Sequence, residues 1–198
     1  MVAGLVLAAG AGRRYGRPKA LVRVDGRLLV ESAVDVFRAA GCAPVVVVLG
    51  AAVDEVLALA DLGGAVVVRN PDWDSGMGSS LRAGLTYLTD TAAEAVVVGL
   101  VDTPGVNALA VLRMSAFAAP SALAVATYGG QRGHPVLLGR EHWVGAAASA
   151  VGDVGARPYL SAHADLVRAV PCEDIADPTD LDRPSDLDRP SGLDRPGP

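Results

Sequence analysis

The loop after the first apolar run combines glycines with a dense group of cations. It reads LAAGAGRRYGRPKA and extends from Leu7 to Ala20. Glycine lets the backbone approach a ligand closely and point its N–H groups at an anion. The glycines and cations of this loop are Gly10, Gly12, Gly16, Arg13, Arg14, Arg17 and Lys19. Because the chain as a whole has a formal net charge of −5, this local positive charge indicates a phosphate-rich ligand; the alternative is a solvated glycine turn with surface charges.

The spacing of the glycines excludes two common phosphate-binding loops. A dinucleotide fingerprint requires G-x-G-x-x-G and an acidic residue near the end of the second strand. Here Gly16 comes one residue late, and the second apolar run ends at Leu49 without an acidic residue. A Walker loop requires a lysine directly after its last glycine, whereas Lys19 stands three residues beyond Gly16. The loop therefore fits neither an NAD enzyme nor a P-loop NTPase.

Three further positions carry polar groups that could act in a site. Asp102 follows an apolar run, where a carboxylate could hold Mg²⁺ beside phosphates; alternatively it caps a helix over Val106–Ala118. The stretch NPDWDSGMGSSLRAG, Asn70–Gly84, contains a glycine turn in which Ser79 could cap the next helix. On turn chemistry alone, His134 is more readily a turn histidine than a catalytic one.

The segment Leu7–Lys19 matches L-A-A-G-x-G-x-R-x-G-x-P-K at every fixed position. This pattern resembles the signature loop of the MobA-like molybdenum-cofactor nucleotidyltransferases, and more broadly of nucleotidyltransferases that act on phosphorylated acceptors. The resemblance implies that the loop wraps a triphosphate, with Arg14 and Lys19 as catalytic cations that neutralise its charge. The loop residues that it assigns to nucleotide binding are Leu7, Ala8, Ala9, Gly10, Gly12, Arg14 and Lys19.

Other segments resemble the same family. The pattern N-P-x-W-x-x-G-M-x-x-S-L implies contacts with the base or ribose, with Trp73 packed beneath the loop; the contact residues are Gly78, Ser79 and Ser80. The Asp-x-Pro aspartate of the family binds the metal, which assigns metal binding, nucleotide contact and catalysis to Asp102. The G-H-P-V and G-D-x-G-A-R segments imply acceptor binding by His134, Asp153 and Arg157.

The end of the resemblance departs from the family. The family usually closes with D-x-D-T-P-E-D-L, whose acidic pair supplies a second metal ligand. This chain reads EDIADPTDL up to Leu181, with Ala176 and Asp177 where Asp and Thr are expected. Asp174 keeps the first acidic position, and Asp177 is displaced by one residue, which in an extended segment turns it to the opposite face. The second metal ligand is therefore either Asp174 or Asp177.

The sequence LAAG, rather than LAGG, together with GMGSS resembles the cytidylyltransferase branch of the family. This implies Mg²⁺-dependent transfer of CMP from CTP to molybdopterin carrying molybdenum, with release of pyrophosphate, and a molybdenum hydroxylase apoenzyme as a further partner. Charge and spacing alone do not separate CTP from GTP. Other phosphorylated acceptors, such as a sugar phosphate or phospholactate, and a non-catalytic nucleotide-binding or cofactor-delivery module are the alternatives.

Short Val-rich runs alternate with segments of helical period. The predicted strands are Val2–Ala9, Pro44–Leu49, Ala65–Arg69, Ala95–Val101, Ala122–Thr127 and Pro135–Leu138. The predicted helices are Leu28–Ala40, Val53–Ala60, Ser79–Leu88, Val106–Ala118 and Arg140–Ala150. Because strands that are apolar on both faces belong to parallel sheets, we predict one three-layer α/β/α domain over residues 1–181. Its sheet is mostly parallel and Rossmann-like, and the resemblance implies the nucleotide-diphospho-sugar transferase type.

Composition limits the remaining classes. The 198 residues suffice for one domain, and the acidic balance argues against nucleic-acid and membrane-surface partners. Since we find neither an apolar run of transmembrane length nor the features of a signal peptide, we expect a cytoplasmic protein. Cys42 and Cys172 fit buried thiols in a reducing compartment. From Asp180 the unit LDRP recurs every six residues, which predicts a disordered tail over 182–198.

Overall fold

A central sheet of seven strands organises the protein. The computed structural model describes residues 1–188. In chain order its strands are β1 Val2–Leu7, β2 Arg23–Val24, β3 Arg27–Leu28, β4 Val45–Leu49, β5 Val66–Arg69, β6 Ala95–Leu100, β7 Leu123–Tyr128, β8 Gln131–Gly139 and β9 Val167–Pro171. The helices are α1 Leu29–Ala39, α2 Val53–Leu59, α3 Met77–Thr89, α4 Ala108–Ser115, α5 Trp143–Ser149 and α6 Arg157–Ala162. The large sheet has the order β5-β4-β1-β6-β8-β7-β9, and β2 pairs with β3 separately.

The large sheet is mostly parallel, as predicted. β1 lies parallel to β4 and β6, β4 to β5, and β7 to β9. The exception is β8, which is antiparallel to β6 and β7. Its direction follows from the short turn after β7, where Gly129 and Gly130 adopt φ of 55° and 80°, since two such residues can join antiparallel strands only.

Helices cover both faces of the sheet. All five residues of β4, VVVVL, are buried, as expected for a strand packed on two sides. On one face the core contains Phe37 of α1, Val56 of α2 and Met114 of α4. On the other face it contains side chains of α3, α5 and α6, among them Trp143 and Leu160. This arrangement confirms the three-layer α/β/α fold.

Several elements differ from the sequence prediction. The short hairpin of β2 and β3, helix α6 and strand β9 were not predicted. β9 reads VRAVP and only Val170 of it is buried, so it lacks the apolar run that marked the inner strands. β8 extends over Gln131–Gly139 rather than Pro135–Leu138, and α3 begins at Met77 rather than Ser79.

The folded chain continues past residue 181. Leu181 is buried, and its N–H donates to the carbonyl of Asp102 at 2.8 Å. A 3₁₀ helix follows over Pro184–Asp188, and the carboxylate of Asp186 accepts from the N–H groups of Asp182 and Arg183 at 2.9 and 2.7 Å. This part therefore differs from the disordered tail expected over 182–198. The rest of that tail, 189–198, lies outside the described residues.

Both cysteines are buried, as expected, and burial raises the pKa of the Cys42 thiol to about 11. Over residues 1–188, no helix combines the length and the apolar character that crossing a bilayer requires.

Candidate nucleotidyltransferase site

A first cavity of about 360 Å³ opens where β1 and β6 end. It collects residues from both loops that the sequence singled out, as expected at the carboxyl ends of parallel strands. Of the predicted nucleotide-binding residues, those that line it are Leu7, Ala9, Gly10, Gly12, Arg14, Lys19, Ser80 and Asp102. Ala8 instead packs into the core on the face of the sheet that α1, α2 and α4 cover, because successive side chains near a strand alternate between faces.

The backbone of the loop after β1 depends on Gly12. Its φ is 60°, and a Cβ at this position would overlap the carbonyl oxygen of Arg17. The N–H of Gly16 donates to the carbonyl of Gly12 at 2.8 Å, which closes the loop on itself. Only glycine satisfies both the backbone angle and the contact.

Lys19 lies between two carboxylates at the mouth of the first cavity. Its Nζ is 2.8 Å from Asp102 Oδ2 and 2.8 Å from Asp182 Oδ1. The Lys19 side chain is 14% exposed and that of Asp102 is 21% exposed. Burial alone would lower the pKa of Lys19, but the hydrogen bonds and charges of the two aspartates outweigh it and raise the pKa. The lysine is therefore firmly protonated when the site is free.

Asp102 also has a carboxylate oxygen that is unused. Its Oδ1 is buried and accepts no hydrogen bond within the described chain, a costly arrangement for an anionic group. Asn107 caps helix α4 by accepting from the N–H groups of Leu109 and Ala110 at 3.0 and 3.1 Å. The alternative that Asp102 is a helix cap is therefore wrong, and its free oxygen is available to a cation.

The structure does not bring Asp174 or Asp177 to Lys19. The carboxylate of Asp174 forms two bonds of 2.6 and 2.9 Å with the guanidinium of Arg113, which lowers its pKa. Asp177 accepts from the N–H and Oγ of Thr179 at 2.9 and 2.6 Å, and neither aspartate lines the first cavity. The structure therefore places neither candidate for the second metal ligand in the first cavity. The second carboxylate at Lys19 is that of Asp182, because the chain after β9 runs back along the loop that follows β6.

A sequence signal for Asp182 exists and was missed. The segment 180–187, DLDRPSDL, matches the closing family pattern D-x-D-T-P-E-D-L at both aspartates of the pair, the proline and the final Asp-Leu. The match was hidden because the same letters begin the LDRP repeat. The first of these aspartates, Asp180, also lies near the site: burial, then the charge of Asp102, raises its pKa to about 6 against the opposing effect of Lys19.

The donors of this site fit a hard divalent cation. Mg²⁺ is usually held by one or two carboxylates together with substrate phosphates and water. Asp102 and Asp182 offer two such carboxylates at one ammonium group. Within residues 1–188 there is no group of three or more acidic, histidine or cysteine side chains that could hold a metal by itself. Phosphate oxygens would have to complete the coordination.

A second cavity of about 470 Å³ adjoins the first. The three predicted acceptor-binding residues line it: His134, Asp153 and Arg157. Leu7, Met77 and Asp153 belong to both cavities, so the two spaces lie side by side. Burial lowers the pKa of His134 to about 4 against the opposing charge of Asp102, and the charge of Arg157 adds a smaller lowering effect. His134 therefore presents a neutral ring at neutral pH.

The first residue of α3, Met77, lines both cavities. Gly78 lies against Ala150, since a Cβ there would be 2.6 Å from the Ala150 carbonyl carbon. Ser79 is not the helix cap, because α3 begins at Met77, and its hydroxyl donates to the carbonyl of Gly76 at 2.8 Å. Gly78 and Ser79 thus support the wall without lining the first cavity, whereas Ser80 lines it.

A family model described as "MobA-like NTP transferase domain" matches residues 4–167. The chain belongs to this family. Membership of the MobA-like family makes the protein a nucleotidyltransferase, in agreement with the loop, the paired lysine and the fold described above.

Two relatives of the chain carry names that describe different activities. The chain is 40% identical over 192 residues to "Nicotine blue oxidoreductase" of Paenarthrobacter nicotinovorans, covering 91% of this chain and 92% of the relative. It is 33% identical over 147 residues to "Molybdenum cofactor guanylyltransferase" of Rhodobacter capsulatus, covering 73% and 67%.

Solved structures share the architecture. The Mycobacterium sp. strain JC1 homologue of Mycobacterium tuberculosis Rv0371c superposes with a TM-score of 0.81 at 34% identity, covering 94% of this chain and 93% of that one. A complex of Mycobacterium tuberculosis Rv0371C with manganese superposes with a TM-score of 0.73 at 28% identity, covering 86% and 87%.

Proposed function

We propose that the enzyme transfers CMP from CTP to the terminal phosphate of a molybdopterin-type acceptor and releases pyrophosphate. The observation that carries this proposal is the position of Lys19, which contacts Asp102 and Asp182 at 2.8 Å in a cavity that shares lining residues with a second one. The first cavity would take the nucleotide and the second the acceptor. The LAAG and GMGSS segments favour CTP, and the guanylyltransferase relative supports a molybdenum-cofactor acceptor.

The reaction needs no protein nucleophile. The acceptor phosphate is already anionic at neutral pH and can attack the α-phosphorus directly, with pyrophosphate leaving in line. Lys19, Arg14 and the N–H groups of the glycine loop would bind the leaving phosphates and neutralise the charge that develops there. For Lys19 this means exchanging the Asp182 carboxylate for phosphate oxygens.

Electrostatics explains why the site also needs a divalent cation. Two unit charges about 4 Å apart interact by roughly 4 kcal/mol at an effective dielectric constant near 20. The carboxylates of Asp102 and Asp182 would therefore repel a triphosphate at least as strongly as Lys19 attracts it. We infer that Mg²⁺ held by these two carboxylates supplies charge neutralisation at the α-phosphate. The structure of a relative in complex with manganese supports a role for a divalent ion.

The second cavity would hold the acceptor without adding net negative charge. The neutral ring of His134 can exchange hydrogen bonds with a polar acceptor group, and Arg157 can pair with a phosphate. In this proposal the enzyme works in the cytoplasm and supplies a molybdenum hydroxylase apoenzyme with its finished cofactor.

A second candidate function is reduction of an aromatic substrate, favoured by the 40% identity to the relative named "Nicotine blue oxidoreductase". This chemistry requires a hydride donor such as a nicotinamide dinucleotide. Against it stand the glycine spacing of the loop after β1 and the end of β4 at Leu49 without an acidic residue for a ribose. Two carboxylates at one lysine also suit phosphate and metal chemistry better than a dinucleotide.

One set of assays separates these functions. Calorimetric titration of the protein with CTP and with GTP, each with Mg²⁺, gives the nucleotide. Pyrophosphate release is then followed with molybdopterin, a sugar phosphate and phospholactate as acceptors. We expect CTP binding and release with the molybdopterin acceptor only. Release with GTP or another acceptor would replace the proposed substrate, and consumption of a reduced nicotinamide dinucleotide without pyrophosphate release would favour the second candidate.

A further inference from the structure

A buried polar network lies behind the wall of the first cavity. Asn70, at the end of β5, and Ser79 and Ser80, in the first turn of α3, are 5%, 4% and 4% exposed. The Asn70 amide nitrogen is 2.8 Å from Ser79 Oγ and 3.0 Å from Ser80 Oγ. The Asn70 main chain is fixed as well, because its N–H donates to the carbonyl of Leu49 at 2.8 Å. None of the family patterns described above gives Asn70 a role of its own.

The orientation of the Asn70 amide follows from its other partner. Its oxygen accepts from the N–H of Asp72 at 3.0 Å. A backbone N–H can only donate, so the Asn70 oxygen must face Asp72 and its NH₂ group must face the serines. Both hydrogens of that NH₂ group are then spent, one on each serine hydroxyl.

The two serine hydroxyls must use their own hydrogens elsewhere. Ser79 donates to the carbonyl of Gly76 at 2.8 Å. Ser80 lines the first cavity, and over residues 1–188 its hydroxyl accepts from Asn70 but donates to no protein group. One lone pair of the hydroxyl takes the Asn70 hydrogen, so the hydrogen of the hydroxyl itself remains to be donated to a group in the cavity.

We propose that Asn70 is a positioning residue that fixes the Ser80 hydroxyl as a hydrogen-bond donor to the nucleobase. Ser80 lines the first cavity together with the apolar side chains of Leu7, Ala9 and Trp73, whereas the cations that line it come from the loop after β1. Apolar side chains with a few polar groups suit a base, and the cations suit phosphates. The base accepted here must therefore present a carbonyl oxygen or a ring nitrogen to the first turn of α3. This inference rests on the proposed function and names how its site selects a nucleotide.

The test uses four single variants, one double variant and three ligands. The ligands are CTP, GTP and inorganic tripolyphosphate, each titrated calorimetrically with Mg²⁺, and thermal unfolding checks that each variant is folded. Ser80→Ala removes the donor and should weaken binding of the preferred nucleotide about tenfold, which corresponds to the loss of one hydrogen bond. Tripolyphosphate, which has no base, should bind all variants as it binds the wild type.

The Asn70 variants separate positioning from a merely structural role. In Asn70→Asp the carboxylate can only accept, so it would take the Ser80 hydrogen away from the cavity, and the preferred nucleotide should weaken about as much as in Ser80→Ala. Combining the two substitutions should add nothing to the loss of preference, because both act through one hydroxyl. In Asn70→Ala the hydroxyl can rotate freely, so an intermediate loss is expected and this variant serves if Asn70→Asp does not fold.

The matched comparison is Ser149→Ala. The Ser149 hydroxyl donates to the carbonyl of Ala146 within α5, and Ser149 lines neither of the two cavities, so the ratio of CTP to GTP affinity should stay that of the wild type. A wild-type ratio in Ser80→Ala, or in both Asn70 variants, would overturn the inference, as would an equal loss for tripolyphosphate. If the wild-type protein binds tripolyphosphate but neither nucleotide, the proposed function fails together with it; if it discriminates and the variants still do, only this inference fails.

Discussion

The two adjoining cavities differ in how they treat charge. The first holds a lysine shared between two carboxylates, with a third aspartate close by, at the ends of parallel strands. The second is lined largely by apolar side chains around a histidine that burial keeps neutral, with two arginines and one aspartate. It is formed by the antiparallel strand β8 and helix α6. The difference suggests that one side is organised for anions and a metal, and the other for a larger and less charged group.

The largest expected effect is the loss of the Asp102 carboxylate. Asp102→Asn removes a candidate metal ligand and should lower turnover by about 10³-fold, in the range for loss of a group that stabilises transition-state charge. Nucleotide binding should largely survive, because Lys19 and the glycine loop remain. Pyrophosphate release measures the first effect, and calorimetry the second.

Asp174→Asn is the matched control for that substitution. Asp174 pairs with Arg113 away from the first cavity, so turnover should stay within about twofold, and the cost in stability should be that of an exposed ion pair. Equal losses in Asp102→Asn and Asp174→Asn would restore Asp174 as a candidate for the second metal ligand.

The next effect is the loss of nucleotide affinity on removing a cation of the first cavity, which should be larger for the buried Lys19 than for the exposed Arg14. Lys19→Met leaves two carboxylates without their shared partner and should weaken nucleotide binding about a hundredfold. Arg14 is 79% exposed on its side chain and reaches Asp182 only at 3.4 Å, so Arg14→Ala should cost about threefold. Equilibrium titration of both variants with the same nucleotide gives the comparison.

Shortening the chain tests the contribution of Asp182. A protein ending at Leu181 lacks the second carboxylate at Lys19 and should lose about tenfold in turnover with Mg²⁺. Without a divalent ion it should bind nucleotide more tightly than the full chain, because a negative charge facing the phosphates is gone. A protein ending at Asp188 should behave as the full chain does. If a protein ending at Leu181 matched the full chain in both assays, Asp182 would contribute nothing to the site.

The smallest effect concerns the neutral histidine of the second cavity. Its pKa of about 4 in the folded protein lies below the ordinary value of 6.5. The unfolded chain therefore takes up the proton first as the pH falls, and stability is lost below pH 6.5. From about pH 7.5 to about pH 5.5 the loss should be about 1 kcal/mol.

His134→Gln isolates this contribution. Asp180, with a raised pKa of about 6, acts with the opposite sign and stabilises the fold as the pH falls through that value, but it is present in both proteins. Denaturant unfolding at the two pH values measures the difference. Identical pH dependence in both proteins would mean that His134 is solvated in the native state.

Local patterns made the first cavity predictable. The glycine loop, Lys19 and Asp102 are each recognisable within a few residues, and parallel strands bring their loops to one edge of the sheet. Asp182 was missed because its contact with Lys19 spans 163 positions and its segment reads as low-complexity repeat. β9 was missed because an edge strand with one buried residue carries little apolar signal. The neutral state of His134 depends on burial by elements distant in sequence.

The strap from Ile175 to Asp186 has a consequence for synthesis of the protein. Ile175 accepts from the side chain of Asn107, and Leu181 donates to Asp102, so the end of the chain is fastened to the loop after β6. During synthesis Lys19 leaves the ribosome long before Asp182, its second carboxylate partner. The sheet can therefore assemble while the Lys19 ammonium group is still solvated. The strands can therefore form first, and competence for catalysis comes last, when the final turns dock.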